Sequence, residues 1–333
     1  MANESETIAT GPLAVKRINF GAFYGPNGGL LIVLIVLLVV FSLLNENFLS
    51  VGNWTNVLRQ VSFLMILACG QTLIILTAGI DLSIGSTMGL VSVAVAAALL
   101  HMDPFLAIAI GLFVGASVGL VNGLLVGKLA ITPFVATLGT MTVAHGLAMT
   151  LTNGAPIHSL PNNWFMSLGR GFIGPVPIPV LFAIACVTVT WVILNLTKFG
   201  RYLFAIGGNE EATILAGINV NFYKISTYIF AGFLSAIAAV LLTSRVITGQ
   251  PQLGSGMELD SIAAVVIGGT ALVGGTGSIG GTVIGVLIIG VLRNGLTLIG
   301  MSTFVQEVVI GSMLLLAIYL SSLRLRRPRA AIA

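Results

Sequence analysis

The chain has 333 residues, 57% of them apolar and only 7% charged, where a soluble globular domain carries roughly 25% charged residues. That composition excludes a soluble domain and places the chain in lipid as an integral membrane protein. The net charge of +4 comes from 14 Lys and Arg against 10 Asp and Glu; apart from a terminal cluster, the basic residues stand singly between apolar runs, so they report topology and no nucleic-acid partner is expected.

In chain order, Lys16 and Arg17 precede the apolar run Leu30–Leu44 as they would in a secretory leader. The run passes into "NENFLS" without a small-residue cleavage pattern, so a retained first span is expected. A helix needs about 20 apolar residues to cross the hydrocarbon. Ten segments approach that length: 29–44, 57–78, 82–100, 105–126, 130–151, 177–196, 224–244, 258–274, 278–299 and 303–321. The expected fold is therefore an all-α polytopic membrane protein of about ten transmembrane helices, with a domain at 29–321 between tails 1–28 and 322–333.

An even number of spans puts both termini on one side. Ten basic residues (Lys16, Arg17, Lys128, Lys198, Arg201, Lys224, Arg324, Arg326, Arg327 and Arg329) then fall on the side of the termini, against Arg59, Arg170, Arg245 and Arg293 on the other. The positive-inside rule makes both tails cytoplasmic. It puts the segment 197–223 inside as well, and makes Asn153–Pro177 the main external loop.

Glycine marks two kinds of site. Gly111, Gly115, Gly119, Gly123 and Gly127 recur every four residues, as do Gly277, Gly281 and Gly285; each set bares one helical face for close packing within a bundle. Elsewhere glycine interrupts spans, at "LTAGIDLSIGS" (Leu76–Ser86) and in the short stretch from Asp260 to Gly281. Broken helices at membrane depth are tolerated where they are buried in protein or line a cavity. The two breaks also open similar series. Asp81 is followed by Asn122-Gly-Leu and "TPFVATL"; Asp260 is followed by Asn294-Gly-Leu and "STFVQEV". The expected topology puts the two series on opposite sides, the pattern of an inverted internal repeat with a transport pathway between its halves.

No enzymatic constellation is visible. His101, His145 and His158 have no metal-like spacing, and no phosphate-binding G-x-x-x-x-G-K-[ST] loop occurs, so any ATP must bind another chain. Cys69 and Cys186 lie in apolar runs, where a thiol packs as a small hydrophobe. Asp81, Asn122, Asp260 and Asn294 are candidates for the pathway or for helix caps, and for the two aspartates capping is the expected role. Within 197–223, Gly207 and Gly208 are expected to make a sharp turn, Asn209 to cap a short helix that holds Glu210 and Glu211 in its first turn, and Gly217 to close it. On physical grounds alone such a helix is either a loop ornament or a docking element.

Five blocks carry a resemblance: "LTAGIDLSIGS" at 76–86, "PFVATLGTM" at 133–141, "TNGAPI" at 152–157, "GRYLFAIGGNEEATILAGINV" at 200–220 and the long run from Glu258 to Leu296. They resemble the permease subunits of bacterial sugar ABC importers, the ribose, xylose and galactose type within the branched-chain amino acid and sugar permease superfamily. The resemblance implies a type II-like importer permease of the inner membrane, with no cofactor of its own. Its implied partners are an ATPase subunit that binds ATP and Mg, a periplasmic or lipid-anchored solute-binding protein, and a second permease copy, identical or paralogous. It also implies that Gly207, Gly208, Asn209, Glu210, Ala212 and Gly217 form the segment that docks on the ATPase. A monosaccharide is the expected solute; branched-chain amino acids or nucleosides are the alternative within the superfamily, and an ion-coupled secondary transporter is the rival from another class.

Overall fold

The structure, a computed structural model, describes residues 28–158, 160–161 and 163–326. The tail through residue 27, with Lys16 and Arg17, and the end from Arg327 lie outside the described residues. Thirteen α-helices follow one another among those described: α1 Gly28–Leu44, α2 Val51–Leu76, α3 Ile84–Leu99, α4 Pro104–Gly123, α5 Pro133–Thr152, α6 Phe165–Arg170, α7 Ile178–Leu196, α8 Lys198–Gly208, α9 Glu210–Leu215, α10 Val220–Val246, α11 Met257–Ile267, α12 Ile279–Leu298 and α13 Thr303–Arg326. Local chemistry sets many of their starts. Ser50 and Asp103 accept hydrogen bonds from first-turn amides of α2 and α4, and Pro104, Pro133 and Pro179 sit in first turns, where a missing N–H costs nothing.

Six helices are long and apolar enough to cross a membrane by length and composition: α2, α4 with its π-turn to Lys128, α5, α7, α10 and α12. The protein is thus a polytopic helical membrane protein. The other four expected spans hold α1, α3, α11 and α13, of 17, 16, 11 and 24 residues, and the span at 258–274 is short, as its early glycines lead one to expect. There α11 has eleven residues, about 16 Å at 1.5 Å per residue, roughly half of a 30 Å hydrocarbon core. The glycines that follow stop it: Gly269, Gly274 and Gly275 have positive φ, and the backbone from Gly268 to Ser278 is irregular.

The core sits around α2 and α10. Every residue of α2 from Val61 to Leu76 is buried, as expected for a helix that is hydrophobic all round and enclosed by protein. α10 packs most extensively on α4, then on α2 and α3. The every-fourth glycine face is what brings α4 so close: a Cβ on Gly115 would lie 2.6 Å from Ala236 Cβ, and one on Gly123 would lie 2.8 Å from Ile225 Cα. The faces of Gly281 and Gly285 serve the same end against α11, meeting Gly268 and Ala264.

The segment 153–177 is more than an open loop. α6 is followed by a two-residue hairpin, β1 Phe172–Ile173 antiparallel to β2 Val176–Pro177. Ser244 near the end of α10 fixes α6 by donating to the Phe165 carbonyl and accepting from the Gly169 amide at 2.8 Å. Arg170 donates from Nε to the Arg245 carbonyl at 2.7 Å, so this segment is tied to the end of α10.

Candidate coupling segment and broken helices

The segment 197–223 folds from its own caps. Thr197 accepts from the Gly200 amide at 3.3 Å to start α8. The sharp turn expected at Gly207 and Gly208 is not there: α8 runs through both. Gly207 is needed for contact instead, because a side chain there would strike the Leu76 carbonyl and the Gly275 amide. The turn falls one residue later. Asn209 adopts an extended conformation (φ −162°, ψ 102°) and its Oδ1 accepts from the Ala212 amide at 2.9 Å, capping α9. Gly217 closes the helix with φ +79°, the left-handed cap that glycine adopts without a Cβ penalty.

The short helix is held on its neighbour by charge. Lys224, in the first turns of α10, donates to both carboxylate oxygens of Glu210 at 2.7 Å. Glu210 also opens α9, where the helix dipole favours an anion. This exposed pair orients the helix more than it stabilises the fold, since surface ion pairs contribute about 0–1 kcal/mol. The arrangement leaves Ile214 and Leu215 projecting, 55% and 88% exposed.

The first break is a buried polar cluster. After Leu76 the chain turns through Ala78, whose φ is +59°, and runs without regular structure to the turn at Ser83. Asp81 is 1% exposed. Its Oδ1 accepts from the Ser83 amide at 2.8 Å and from the Ser83 hydroxyl at 2.7 Å. Asn122 of α4 donates to Ser83 Oγ at 2.7 Å, lies 3.5 Å from both Asp81 oxygens, and accepts from Thr140 of α5 at 2.5 Å. Asp81 therefore braces the turn before α3 instead of capping the helix itself; Ser83 occupies the cap position. Asp81→Val should leave the Ser83 donors unpaired and lower purified-protein stability by about 1–3 kcal/mol, seen as a lower thermal midpoint. Asp81→Asn retains the Oδ1 acceptor and should lose much less.

The second break differs. Asp260 lies inside the first turn of α11, with Gly256 at the cap position in a left-handed conformation, so the capping expectation for Asp260 is corrected. Its carboxylate receives both its hydrogen bonds from Arg293 Nη2 of α12 at 2.7 Å. Asn294, the next residue, turns to α2: it and Asn53 exchange hydrogen bonds at 2.7 and 2.9 Å. The structure thus brings Asp81 and Asn122 together but leaves Asp260 and Asn294 with different partners. Sequence reasoning named none of Ser83, Thr140 or Asn53, and counted Arg293 only as a topology charge. The available signal was that Arg293 stands as an isolated cation inside an apolar run.

The segment 197–223 and both breaks meet at one point. The Leu76 carbonyl, freed by the end of α2, accepts from the Gly275 amide in the second break at 3.0 Å, and Gly207 packs on both groups. The end of α8 is therefore in direct backbone contact with both irregular segments.

Comparison with known proteins accords with this architecture. Residues 53–318 match the family described as the permease component of the branched-chain amino acid transport system. The chain is 47% identical over 307 residues to the ribose import permease protein RbsC of Bacillus subtilis, covering 92% of this chain and 95% of that one. It is 34% identical to the D-allose transport system permease protein AlsC of Escherichia coli, over 92% and 95% of the two chains. It is 36% identical to the galactose/methyl galactoside import permease protein MglC of Escherichia coli, over 92% and 97%. No solved structure matches the chain. The chain belongs to this family of transport-system permease components, and it is a transport subunit and not an enzyme.

Proposed function

We propose that the chain is the membrane permease of an ABC importer that carries a monosaccharide across the bacterial inner membrane. The observation that carries this reading is near full-length similarity to sugar permeases for ribose, allose and galactose. Those relatives favour a sugar over branched-chain amino acids or nucleosides. An ion-coupled carrier is disfavoured because Asp260, one of its four candidate carboxylates with Asp81, Glu258 and Glu307, is engaged by Arg293. In our reading the chain makes ten crossings arranged as an inverted repeat, with both termini cytoplasmic, and works with a second permease copy around one pathway. A solute-binding protein delivers sugar outside. A separate ATPase, holding ATP and Mg, docks inside on Asn209–Gly217, where Ile214 and Leu215 offer an apolar contact.

Alternating access then needs only differential affinity: nucleotide binding favours one arrangement of the docked pair, and contacts that differ between arrangements shift the population. The junction of Gly207, Leu76 and Gly275 carries that shift to the breaks. Co-purification with an ATPase and a solute-binding protein, and sugar uptake by the reconstituted complex, test this reading. Glu210→Lys replaces the anion at the start of α9 with a cation, which the dipole disfavours by roughly 0.3–1 kcal/mol, and sets it against Lys224. Membrane insertion should survive while uptake and stimulated ATP hydrolysis fall; wild-type transport would count against docking here.

A further inference from the structure

Between α3, α5 and α11 lies a cavity of about 260 Å³. Its walls come from the start of α3 just after the first break, from the middle of α5, from the loop Pro251–Ser255, and from Glu258 in the first turn of the short helix α11. The lining thus comes from α3 just beyond the first break and from the segment that leads into the short helix α11. Its polar lining is Ser86, Thr142, His145, Gln252, Ser255 and Glu258, and Met141, Pro251 and Leu253 supply apolar wall. The volume is far beyond that of one structural water, whose share of the liquid is about 30 Å³, and approaches the roughly 300 Å³ at which small-molecule sites begin.

The lining has hydrogen-bonding capacity that the fold leaves unspent. Glu258 Oε1 accepts from the Gly256 amide at 3.1 Å. Its Oε2 is buried against Gly85, where any side chain would collide with it, and has no partner among the described residues. Native structures pair nearly all such buried atoms, so this oxygen is free to accept a hydrogen bond from a group that enters the cavity. The side chains of Ser86, His145, Gln252 and Ser255 likewise make no hydrogen bond among the described residues. Elsewhere α5 presents Phe134, Val135, Val143, Leu147 and Leu151 outward, as a lipid-facing helix should. Thr142 and His145, also exposed, break that pattern on the one face that borders the cavity. Ionisable groups at membrane depth mark pathways more often than lipid contacts.

We propose that this cavity is a contact site for the transported solute and that it takes a neutral polyhydroxyl compound, Glu258 accepting from a pair of its hydroxyls. Hydroxyl groups can donate to the carboxylate and accept from Ser86, Gln252 and Ser255, while the C–H face of a sugar rests on Pro251 and Leu253. The lining holds one carboxylate and neither Lys nor Arg, so it repels anionic solutes. Few direct contacts suit passage, because a site on a pathway must release what it binds. This assignment rests on the monosaccharide-import reading given above.

The complete importer, reconstituted with its ATPase and binding protein, provides the test. From D-ribose, D-allose and D-galactose, the labelled sugar that the wild type accumulates is used. Glu258→Gln exchanges an acceptor for a donor at nearly constant shape. It should lower uptake at least tenfold, with normal protein in the membrane and ATP hydrolysis within about twofold of wild type. Normal uptake by this variant would overturn the proposal. Should the variant fail to fold, Ser255→Cys decides: a hydrophilic thiol reagent on both sides of the membrane should modify it and block uptake, and should leave lipid-facing Phe113→Cys transporting normally. Cys69 and Cys186 are buried and give little background. A Ser255→Cys protein that resists the reagent, or transports normally once modified, would sink the proposal. If the wild type accumulates none of the three sugars, the monosaccharide reading fails on its own, and reactivity at Ser255→Cys still reports whether water lines the cavity.

Discussion

Gly119→Leu is expected to remove almost all folded protein from the membrane. Gly119 lies on α4 where a Cβ would sit 2.9 Å from Ile229 Cα and 3.0 Å from Tyr228 C, closer still to the Tyr228 carbonyl oxygen. These are backbone atoms of α10, so no rotamer change relieves the clash and the helices must separate. Forcing even single methylenes into a packed interior costs about 1–3 kcal/mol; a whole Leu side chain against backbone exceeds that by enough to consume a typical stability of 5–15 kcal/mol. Separation also pulls away Tyr228, whose hydroxyl reaches toward the Ile80 carbonyl in the first break at 3.4 Å. Gly119→Ala should give an intermediate yield of monodisperse protein after extraction. Gly311→Leu, at a site with nothing within 4 Å of a Cβ, should match wild type. Equal yields for the two leucine variants would show that α4 and α10 are not in backbone contact.

Arg293→Ala is expected to be the most damaging change at a charged residue. It strands Asp260 without its counter-ion and within reach of the Glu258 and Glu307 charges, its side chain only 15% exposed and that of Arg293 29%. Breaking a fully buried pair by removing one partner costs roughly 3–5 kcal/mol, mostly as the penalty of the uncompensated charge; with this residual exposure the lower end applies. The double variant Arg293→Ala with Asp260→Asn removes the stranded charge and should recover much of the lost thermal stability. That recovery separates charge compensation from simple loss of packing by the arginine stem. If the double variant is as unstable as Arg293→Ala alone, the ion pair is not what joins α11 to α12 here.

What the sequence settled by itself was everything that depends on composition and short-range chemistry. Apolar runs of near-membrane length fix where helices form, because a backbone in lipid must satisfy its own hydrogen bonds; six of the expected spans hold helices long and apolar enough to cross, and α1, α3, α11 and α13 lie at the other four. The four-residue glycine period of α4 foretold close packing, because a face without side chains has no other effect. The cap at Asn209 and the stop at Gly217 were equally legible, since both depend on contacts within a few residues.

The tertiary structure decided the rest, and the failures share one cause. Gly207 looked like a turn because glycine permits turns; it lies in a helix because Leu76 and Gly275, far away in sequence, leave no room for a Cβ. Asp260 looked like a cap because it precedes a glycine-rich span; it is an ion-pair partner because α12 sets Arg293 beside it. Asp81 and Asn122 share a cluster, whereas Asn294 pairs with Asn53, although the two short motifs read almost alike. His145 and Glu258 had no visible connection until folding placed them on the walls of one cavity. Local sequence determines which backbone conformations are cheap, but a polar group's partner is whichever group the packing of distant helices brings within about 3 Å, and one sequence read along its length does not contain that distance.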